Sequence, residues 1–106
     1  MIKKIFFQRD SFIYEIYKKA KKNKNIFFLS ADFGAPALDI FRKDLPKQFI
    51  HTGISEQNMI DVAMGMSLKN KIVITYAMAP FILSRAWEQH KINSIMKLPM
   101  INLVPG

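Results

Sequence analysis

The 106-residue sequence contains no cysteine, only four glycines and eight acidic residues, and it has no long uninterrupted apolar run. Without cysteine there is no disulfide framework, no thiolate metal site and no cysteine nucleophile. No apolar segment reaches the roughly 18 residues that a membrane span needs. The apolar N-terminus stops at Gln8-Arg9-Asp10, short of a signal-peptide core. We therefore expect a soluble, cytoplasmic protein that does not bind membranes.

The residues that are abundant point to a globular chain. Half of the sequence is hydrophobic and nine residues are phenylalanine, which is too apolar for a disordered protein. The length allows one domain at most, since domains run from about 50 to 250 residues.

The net charge of +8 raises the question of nucleic-acid binding. Five of the thirteen lysines fall between positions 18 and 24, and such a cluster could contact phosphates. It could equally end a helix that Asp10 caps, because cations complement the C-terminal end of the helix dipole. Arginine is scarce and no nucleic-acid motif is present, so we expect no nucleic-acid partner.

Apolar runs alternate along the chain with amphipathic segments. Hydrophobic periodicity predicts helices over 10–23, 38–44, 55–68 and 80–96, and strands over 26–29, 48–51, 72–76 and 98–104. Continuous apolar strands between helices are typical of a parallel sheet that is covered on both faces. The predicted fold class is α/β, with helices on both faces of a parallel sheet.

The unusual residues follow the predicted strands. Ser30, Asp32 and Gly34 come after the first strand, 53–58 after the second and 76–81 after the third. Open α/β sheets bind ligands at these carboxyl ends, although each residue could also serve only turn geometry or capping. No Walker or dinucleotide glycine pattern is present, and two histidines without cysteine form no metal set. A ligand site without a metal is expected at this edge of the sheet.

Glu56 has two interpretations from its local sequence alone. With Ser55 as N-cap, a carboxylate in the first helical turn stabilises a helix by about 0.3–1 kcal/mol. Alternatively, a carboxyl between Ile54 and Met59, after a glycine that allows close approach, could share a proton with a ligand nitrogen. The residues by themselves do not decide between the two.

From about Asp10 to its end, the chain resembles the pyrimidine-binding domain of the transketolase family of thiamine-diphosphate enzymes. The most specific match is Phe49-Ile50-His51-Thr52-Gly53-Ile54-Ser55-Glu56-Gln57-Asn58-Met59. Further matching segments are 29–36, 71–76, 79–81 and 85–89, together with Gly65. The resemblance implies a thiamine-diphosphate-binding fold, of which residues 1–106 form a partial pyrimidine-binding domain.

The resemblance also implies a role for Glu56. It matches the family's glutamate that hydrogen-bonds N1′ of the cofactor's aminopyrimidine ring. That bond promotes removal of the proton from the thiazolium C2 carbon, which makes Glu56 the expected catalytic residue.

Other site residues follow from the resemblance. Phe81 is the expected aromatic partner of the aminopyrimidine face and Tyr76 a second candidate, although both could be ordinary core aromatics. Asp32 resembles an acid near the cofactor. Arg85 could contact a substrate phosphate, or it could pair with Glu88 on one helix face.

The family binds the cofactor's diphosphate through Mg²⁺ on a separate domain with a Gly-Asp-Gly motif, which this sequence lacks. The resemblance therefore implies a diphosphate-binding partner domain or subunit, a homo- or hetero-oligomer, and an isolated chain without activity. We interpret the chain as a truncated C-terminal section of a split transketolase, which transfers a two-carbon unit between sugar phosphates. The alternatives are a fragment of a deoxyxylulose-phosphate-synthase-like enzyme and a non-catalytic α/β interaction module.

Overall fold

The computed structural model describes residues 8–31, 36–53, 55–78 and 80–104, without the side chains of Pro36, Pro80 and Phe81. The first half contains α1 (Gln8–Lys22), β1 (Ile26–Ser30), α2 (Pro36–Asp44), a 3₁₀ turn (Pro46–Gln48) and β2 (Phe49–His51). The second half contains α3 (Glu56–Leu68), β3 (Ile72–Tyr76), a π-helical turn (Pro80–Ser84), α4 (Trp87–Met96) and β4 (Ile101–Leu103).

The four strands form one parallel sheet in the order β2-β1-β3-β4. Phe28 of β1 pairs with Phe49 of β2 on one side and with Ile74 of β3 on the other. The chain therefore moves outward from β1 to β2 and then crosses back to β3. This change of direction places a topological switch point between β1 and β3, where open α/β sheets bind ligands. The predicted α/β class is confirmed.

Helices cover both faces of this sheet, and each face has its own apolar core. Helix α3 and the π-helical turn cover one face, with a core formed by Leu29, Ala31, Met59, Ile60, Ala63, Met64, Val73, Ala77, Ile82 and Ala86. Helices α1 and α2 cover the other, with a core formed by Ile13, Tyr17, Ala20, Ile26, Phe28, Leu38, Phe41, Ile74 and Tyr76. Alternate residues of β3 point to opposite faces, as the pleat of a strand requires.

An aromatic cluster around Phe28 holds the α1/α2 face together. The Phe28 ring is fully buried, with its centroid 5.4 Å from that of Phe41, 5.9 Å from that of Phe49 and 5.8 Å from that of Tyr76. Contacts of this kind contribute about 0.5–1.5 kcal/mol each beyond the burial of apolar area. They fasten β1 to both neighbouring strands and to α2.

The lysine cluster lies at a helix end, as one of its two interpretations predicted. Lys19, Lys21 and Lys22 occupy the last turn of α1, where cations are favourable. The prediction that Asp10 is the N-cap is wrong, because Asp10 lies inside the first turn of α1. Its buried carboxylate lies 3.5 Å from Nε of Arg9.

The predicted continuous helix over 80–96 is wrong in its first part. The segment begins as the π-helical turn, and α4 starts only at Trp87. Nε2 of His90 lies 2.8 Å from the main-chain oxygen of Ile82, so a side chain from α4 satisfies a carbonyl of the turn. Within the described ranges, no helix has both the length and the apolar character needed to cross a membrane.

Candidate functional site

The segment between β2 and α3 sets the position of Glu56. Gly53 has a φ of +82°, a left-handed conformation that side chains other than glycine rarely adopt. No described atom lies within 4 Å of a Cβ built there, so the backbone conformation rather than close approach explains this glycine. Ser55 occupies the N-cap position, but its hydroxyl forms no capping hydrogen bond, so the predicted side-chain cap is wrong.

Glu56 is the first residue of α3, and its side chain is only 5% exposed. The helix is oriented by Met59 and Ile60, which are fully buried against the sheet. A buried carboxylate needs a partner, since leaving water without one is costly. Oε1 of Glu56 lies 3.6 Å from Nη1 of Arg85, whose own side chain is 56% exposed.

An open pocket of about 320 Å³ lies beside this pair. Its lining comes from two places in the sequence: Ser55, Glu56 and Gln57 at the start of α3, and Arg85 just before α4. The volume is at the lower end of the range for small-molecule sites, about 300–1,000 Å³. The pocket combines a buried acid, an exposed cation, a hydroxyl and an amide, so it offers both hydrogen-bond donors and acceptors.

Gln57 connects the two halves of the pocket. Its side-chain Nε2 donates a hydrogen bond of 2.6 Å to the main-chain oxygen of Arg85. In the sequence, Gln57 is one residue of the matching motif, and no local pattern points to this contact. Its partner lies 28 positions later, which only the fold brings near.

Of the three other cofactor candidates from the sequence, only Tyr76 is fully described, and it lies away from Glu56. Tyr76 is fully buried in the α1/α2 core, on the opposite face of the sheet from α3. Burial is the main cause that raises the pKa of its phenol above 10.0. The backbone of Phe81 lies in the π-helical turn, but its side chain is outside the described part, as is the whole of Asp32. The cofactor roles of these three residues remain predictions.

Arg85 does reach Glu56, in a way that neither sequence interpretation anticipated. It lies in the turn before α4 rather than on a helix face, and it pairs with Glu56. Its predicted contact with a substrate phosphate is untested. Among the described residues, no group of three or more histidine, aspartate or glutamate side chains could hold a metal ion.

Comparison with known protein families shows which family the chain belongs to. The model of the transketolase pyrimidine-binding domain matches residues 9–104, which include every element described above except the first residue of α1. The chain belongs to this family. The transketolase pyrimidine-binding match covers both sides of the pocket, at 55–57 and at Arg85.

Individual relatives agree with this membership. A protein of Methanocaldococcus jannaschii named as a transketolase C-terminal section is 36% identical over 84 residues, 78% of this chain and 26% of its own. One subunit of an apulose-4-phosphate transketolase from Phocaeicola vulgatus is 33% identical over 80% of this chain and 28% of its own. One subunit of a 6-deoxy-6-sulfo-D-fructose transketolase from a Clostridium species is 32% identical over 92% of this chain and 32% of its own.

A solved structure shows the same fold. A split-gene transketolase, described as an inactive beta4 tetramer, superposes with a TM-score of 0.78 at 30% identity. The match covers 91% of this chain and 32% of that one. The chain thus spans about a quarter to a third of the length of these relatives.

Membership in the transketolase family implies dependence on thiamine diphosphate, and the side chains that line the pocket are chemically suited to an aminopyrimidine ring. The buried Glu56 carboxylate faces an open pocket of small-molecule size. A carboxyl can hydrogen-bond a ring nitrogen, and the amide of Gln57 and the hydroxyl of Ser55 add polar groups at the rim.

Proposed function

We propose that this chain is the pyrimidine-binding part of a thiamine-diphosphate-dependent transketolase, and that Glu56 is its catalytic acid–base group. The observation that carries the proposal is the burial of the Glu56 carboxylate at the first turn of α3, beside the pocket. A carboxyl removed from water and held by a helix is suited to tune the proton affinity of a bound ring.

When bound, thiamine diphosphate would supply an acidic C2 carbon, which becomes a nucleophile towards a ketose carbonyl once its proton has been removed. The chain's own part is to bind and orient the aminopyrimidine. Glu56 holds a proton in a hydrogen bond to the ring nitrogen, and α3 keeps the carboxyl in place because Met59 and Ile60 anchor the helix in the core. Gln57 keeps the main chain of Arg85 close to the same helical turn.

The diphosphate and its Mg²⁺ are proposed to be bound by a partner domain or subunit. Two of the relatives are named as subunits and a third as a C-terminal section, which supports a division of the enzyme between polypeptides. The split-gene relative described as an inactive tetramer supports an oligomer and an isolated chain without activity.

The substrate is proposed to be a sugar with an anionic group, such as a sugar phosphate. Two relatives are named for a sugar phosphate and a sulfo-sugar. The exposed guanidinium of Arg85 beside the pocket would suit such a group. Transketolase is preferred to a deoxyxylulose-phosphate synthase or a non-catalytic module because the relatives compared above are transketolases or parts of them.

The decisive experiment is Glu56→Gln in the chain assembled with a diphosphate-binding partner. The exchange of the cofactor C2 proton for deuterium is measured by NMR, together with ketol transfer. We expect both to slow by about 100-fold or more, the usual contribution of a general acid–base group.

The matched control is Asp61→Asn, which neutralises an exposed acid on the same helix. It should leave both rates within about twofold of the wild-type values, as expected for surface substitutions. Full activity of Glu56→Gln would show that the assignment is wrong.

A further inference from the structure

The polar and apolar sides of α4 are reversed relative to a helix that packs within its own chain. No residue of α4 is buried, and the partly buried ones are polar: Gln89, His90 and Asn93. Oε1 of Gln89 and Oδ1 of Asn93 are buried atoms without a hydrogen-bond partner among the described residues. A helix of ten residues is marginal by itself, and packing within the described chain adds little to it.

The outer side of α4 is apolar instead. Trp87 is 61% exposed, Ile92 42% and Ile95 78%. Their spacings, three from 92 to 95 and eight from 87 to 95, put the three side chains in one stripe along the helix. Leu83, just before the helix, and Met96, at its end, are also exposed. A helix of a soluble protein turns its apolar stripe to a core, so this stripe marks a surface that another molecule covers.

Two residues of opposite charge lie within the same outer side. Glu88 and Lys91 are both exposed. Neither belongs to an ion pair in the part of the chain that the structure describes. Because the two charges are opposite and close together, this side of the helix is electrically complementary to an antiparallel copy of itself.

A two-fold axis between residues 89 and 90 gives that complementarity a definite register. Such an axis brings each residue of one helix opposite the residue that lies equally far from the axis in the other. Glu88 would then meet Lys91, and Trp87 would meet Ile92. Each of these contacts occurs twice, so charges face opposite charges and apolar side chains face apolar ones.

The size of the surface also suits a second copy. The five apolar side chains on and beside α4 are between 42% and 78% exposed. Together they present on the order of 500 Å², the size of the patches that are often functional on monomers. A standard interface takes about 800 Å² from each partner, and Glu88 and Lys91 supply the polar groups that accompany an apolar centre.

We propose that α4 is the contact surface for a second copy of this chain, packed antiparallel across a two-fold axis between residues 89 and 90. An interface of this kind uses the same surface on both copies, so it closes at two chains and leaves neither stripe exposed. The contact is separate from the proposed function, because none of its residues lines the pocket beside Glu56. It needs neither cofactor nor substrate.

The first test measures the mass of the 106-residue chain by sedimentation velocity from low to high micromolar concentrations. We expect a dimer, with twice the 12.3 kDa of one chain. Ile92→Lys puts a charge at the centre of the interface and should raise the dissociation constant at least about tenfold. The matched control is Ile40→Lys, because Ile40 on α2 is 45% exposed and Ile92 42%. It should stay within about twofold of wild type.

Reversal of the charges tests the register. Glu88→Lys and Lys91→Glu should each raise the dissociation constant about fivefold or more, because each places like charges opposite one another. An equimolar mixture of the two variants should form a heterodimer, and the double variant a homodimer. Both should bind within about twofold of wild type, because opposite charges meet again. Damage to the fold of one chain could not be repaired by the other.

Three results would overturn the proposal: a wild-type chain that is monomeric at every concentration, equal effects of Ile92→Lys and Ile40→Lys, or charge reversals that the mixture does not repair. Association through α4 with a diphosphate-binding partner only would also refute it, since the occupant would not be a second copy. Circular dichroism checks that each variant is folded. The proposed function fails on a different result, the retention of turnover by Glu56→Gln in the assembled enzyme.

Discussion

The side-chain amide of Gln57 donates to the main-chain oxygen of Arg85 over 2.6 Å, although the two residues lie 28 positions apart. Together with the ion pair between Glu56 and Arg85, this bond joins the first turn of α3 to the turn before α4. Both flank the same pocket. The geometry of the site thus depends on a contact between two segments that follow different strands of the sheet.

Gln57→Leu should remove this connection at a small cost in stability. The bond is exposed, so we expect the free energy of unfolding to fall by about 0.5–1.5 kcal/mol, measured by urea denaturation. In the assembled enzyme, Gln57→Leu should also raise the KM for sugar substrate, because the arginine is no longer held at the pocket. Asn58→Ala, an exposed change at the next position, is the control. Equal effects of the two substitutions on KM would contradict the positioning role of Gln57.

Gly53 and Gly65 should respond in opposite directions to alanine. At Gly53 the positive φ makes a Cβ strained by about 1–2 kcal/mol, so Gly53→Ala should destabilise the domain and weaken the site that follows it. Gly65 lies inside α3, and no described atom lies within 4 Å of a Cβ built there. Gly65→Ala should therefore stabilise the domain by about 0.5–1 kcal/mol. Thermal unfolding of both variants checks this, and a stabilised Gly53→Ala variant would refute the role of the left-handed turn.

Gln48 ties the end of α1 to the start of β1 with one buried amide. Its Nε2 lies 3.0 Å from the carbonyl oxygen of Ala20, 3.1 Å from that of Asn23 and 3.0 Å from that of Ile26. Gln48→Leu removes a buried donor that these three carbonyl oxygens share, although those of Ala20 and Asn23 also accept from the main-chain N–H groups of Asn23 and Ile26. We expect a loss of about 1–3 kcal/mol in unfolding free energy. Gln48→Glu should lose at least as much unfolding free energy as Gln48→Leu, because an ionised carboxylate cannot donate a hydrogen bond. Lys47→Ala, at the exposed neighbouring position, is the control. If Gln48→Leu lowered the unfolding free energy as little as Lys47→Ala does, the buried amide would be dispensable.

The stability of the domain should fall at alkaline pH through two tyrosines. The hydroxyl of Tyr17 donates 2.6 Å to Asp44, and this hydrogen bond is the main cause that raises the pKa of Tyr17 above 10.0. Burial raises the pKa of Tyr76 in the same direction. The folded state therefore keeps these protons at pH values where the unfolded chain has lost them. Because the folded state then binds more protons, unfolding free energy must decrease as the pH rises above about 10.

Tyr17→Phe removes one of the two contributions. Its melting temperature should decline less steeply above pH 10 than that of the wild type, while the contribution of Tyr76 remains. Asp44→Asn should flatten the decline in the same way, since it removes the carboxylate that retains the phenolic proton. An unchanged slope in both variants would show that the hydrogen bond between Tyr17 and Asp44 does not control this pH dependence.

Much of the fold was predictable because its signals are local. The apolar run 72–76 is observed as β3 (Ile72–Tyr76), and the helix predicted over 55–68 begins one residue later, at Glu56. Side-chain periodicity acts within a few residues, so a single segment carries it completely. The α/β class follows from the same patterns, because continuous apolar strands between helices favour a parallel sheet.

The predictions that differed from the structure depended on contacts over longer distances. The helix predicted over 80–96 is divided, and His90 of α4 satisfies a carbonyl of the π-helical turn. The apolar character of Tyr76 gave no indication of its face, because a strand pattern distinguishes two faces without telling which helices cover each. The strand order decides that, and it places Tyr76 with α1 and α2.

The sequence by itself determined the fold class, the position of Glu56 at the start of a helix and the resemblance on which its role rests. Only the tertiary structure decided that Arg85 is the partner of Glu56 and that Gln57 holds it there. The physical reason is that a buried charge takes its partner from whatever the packed sheet brings near. That neighbour is set by strand order and helix packing, which no local pattern of residues contains.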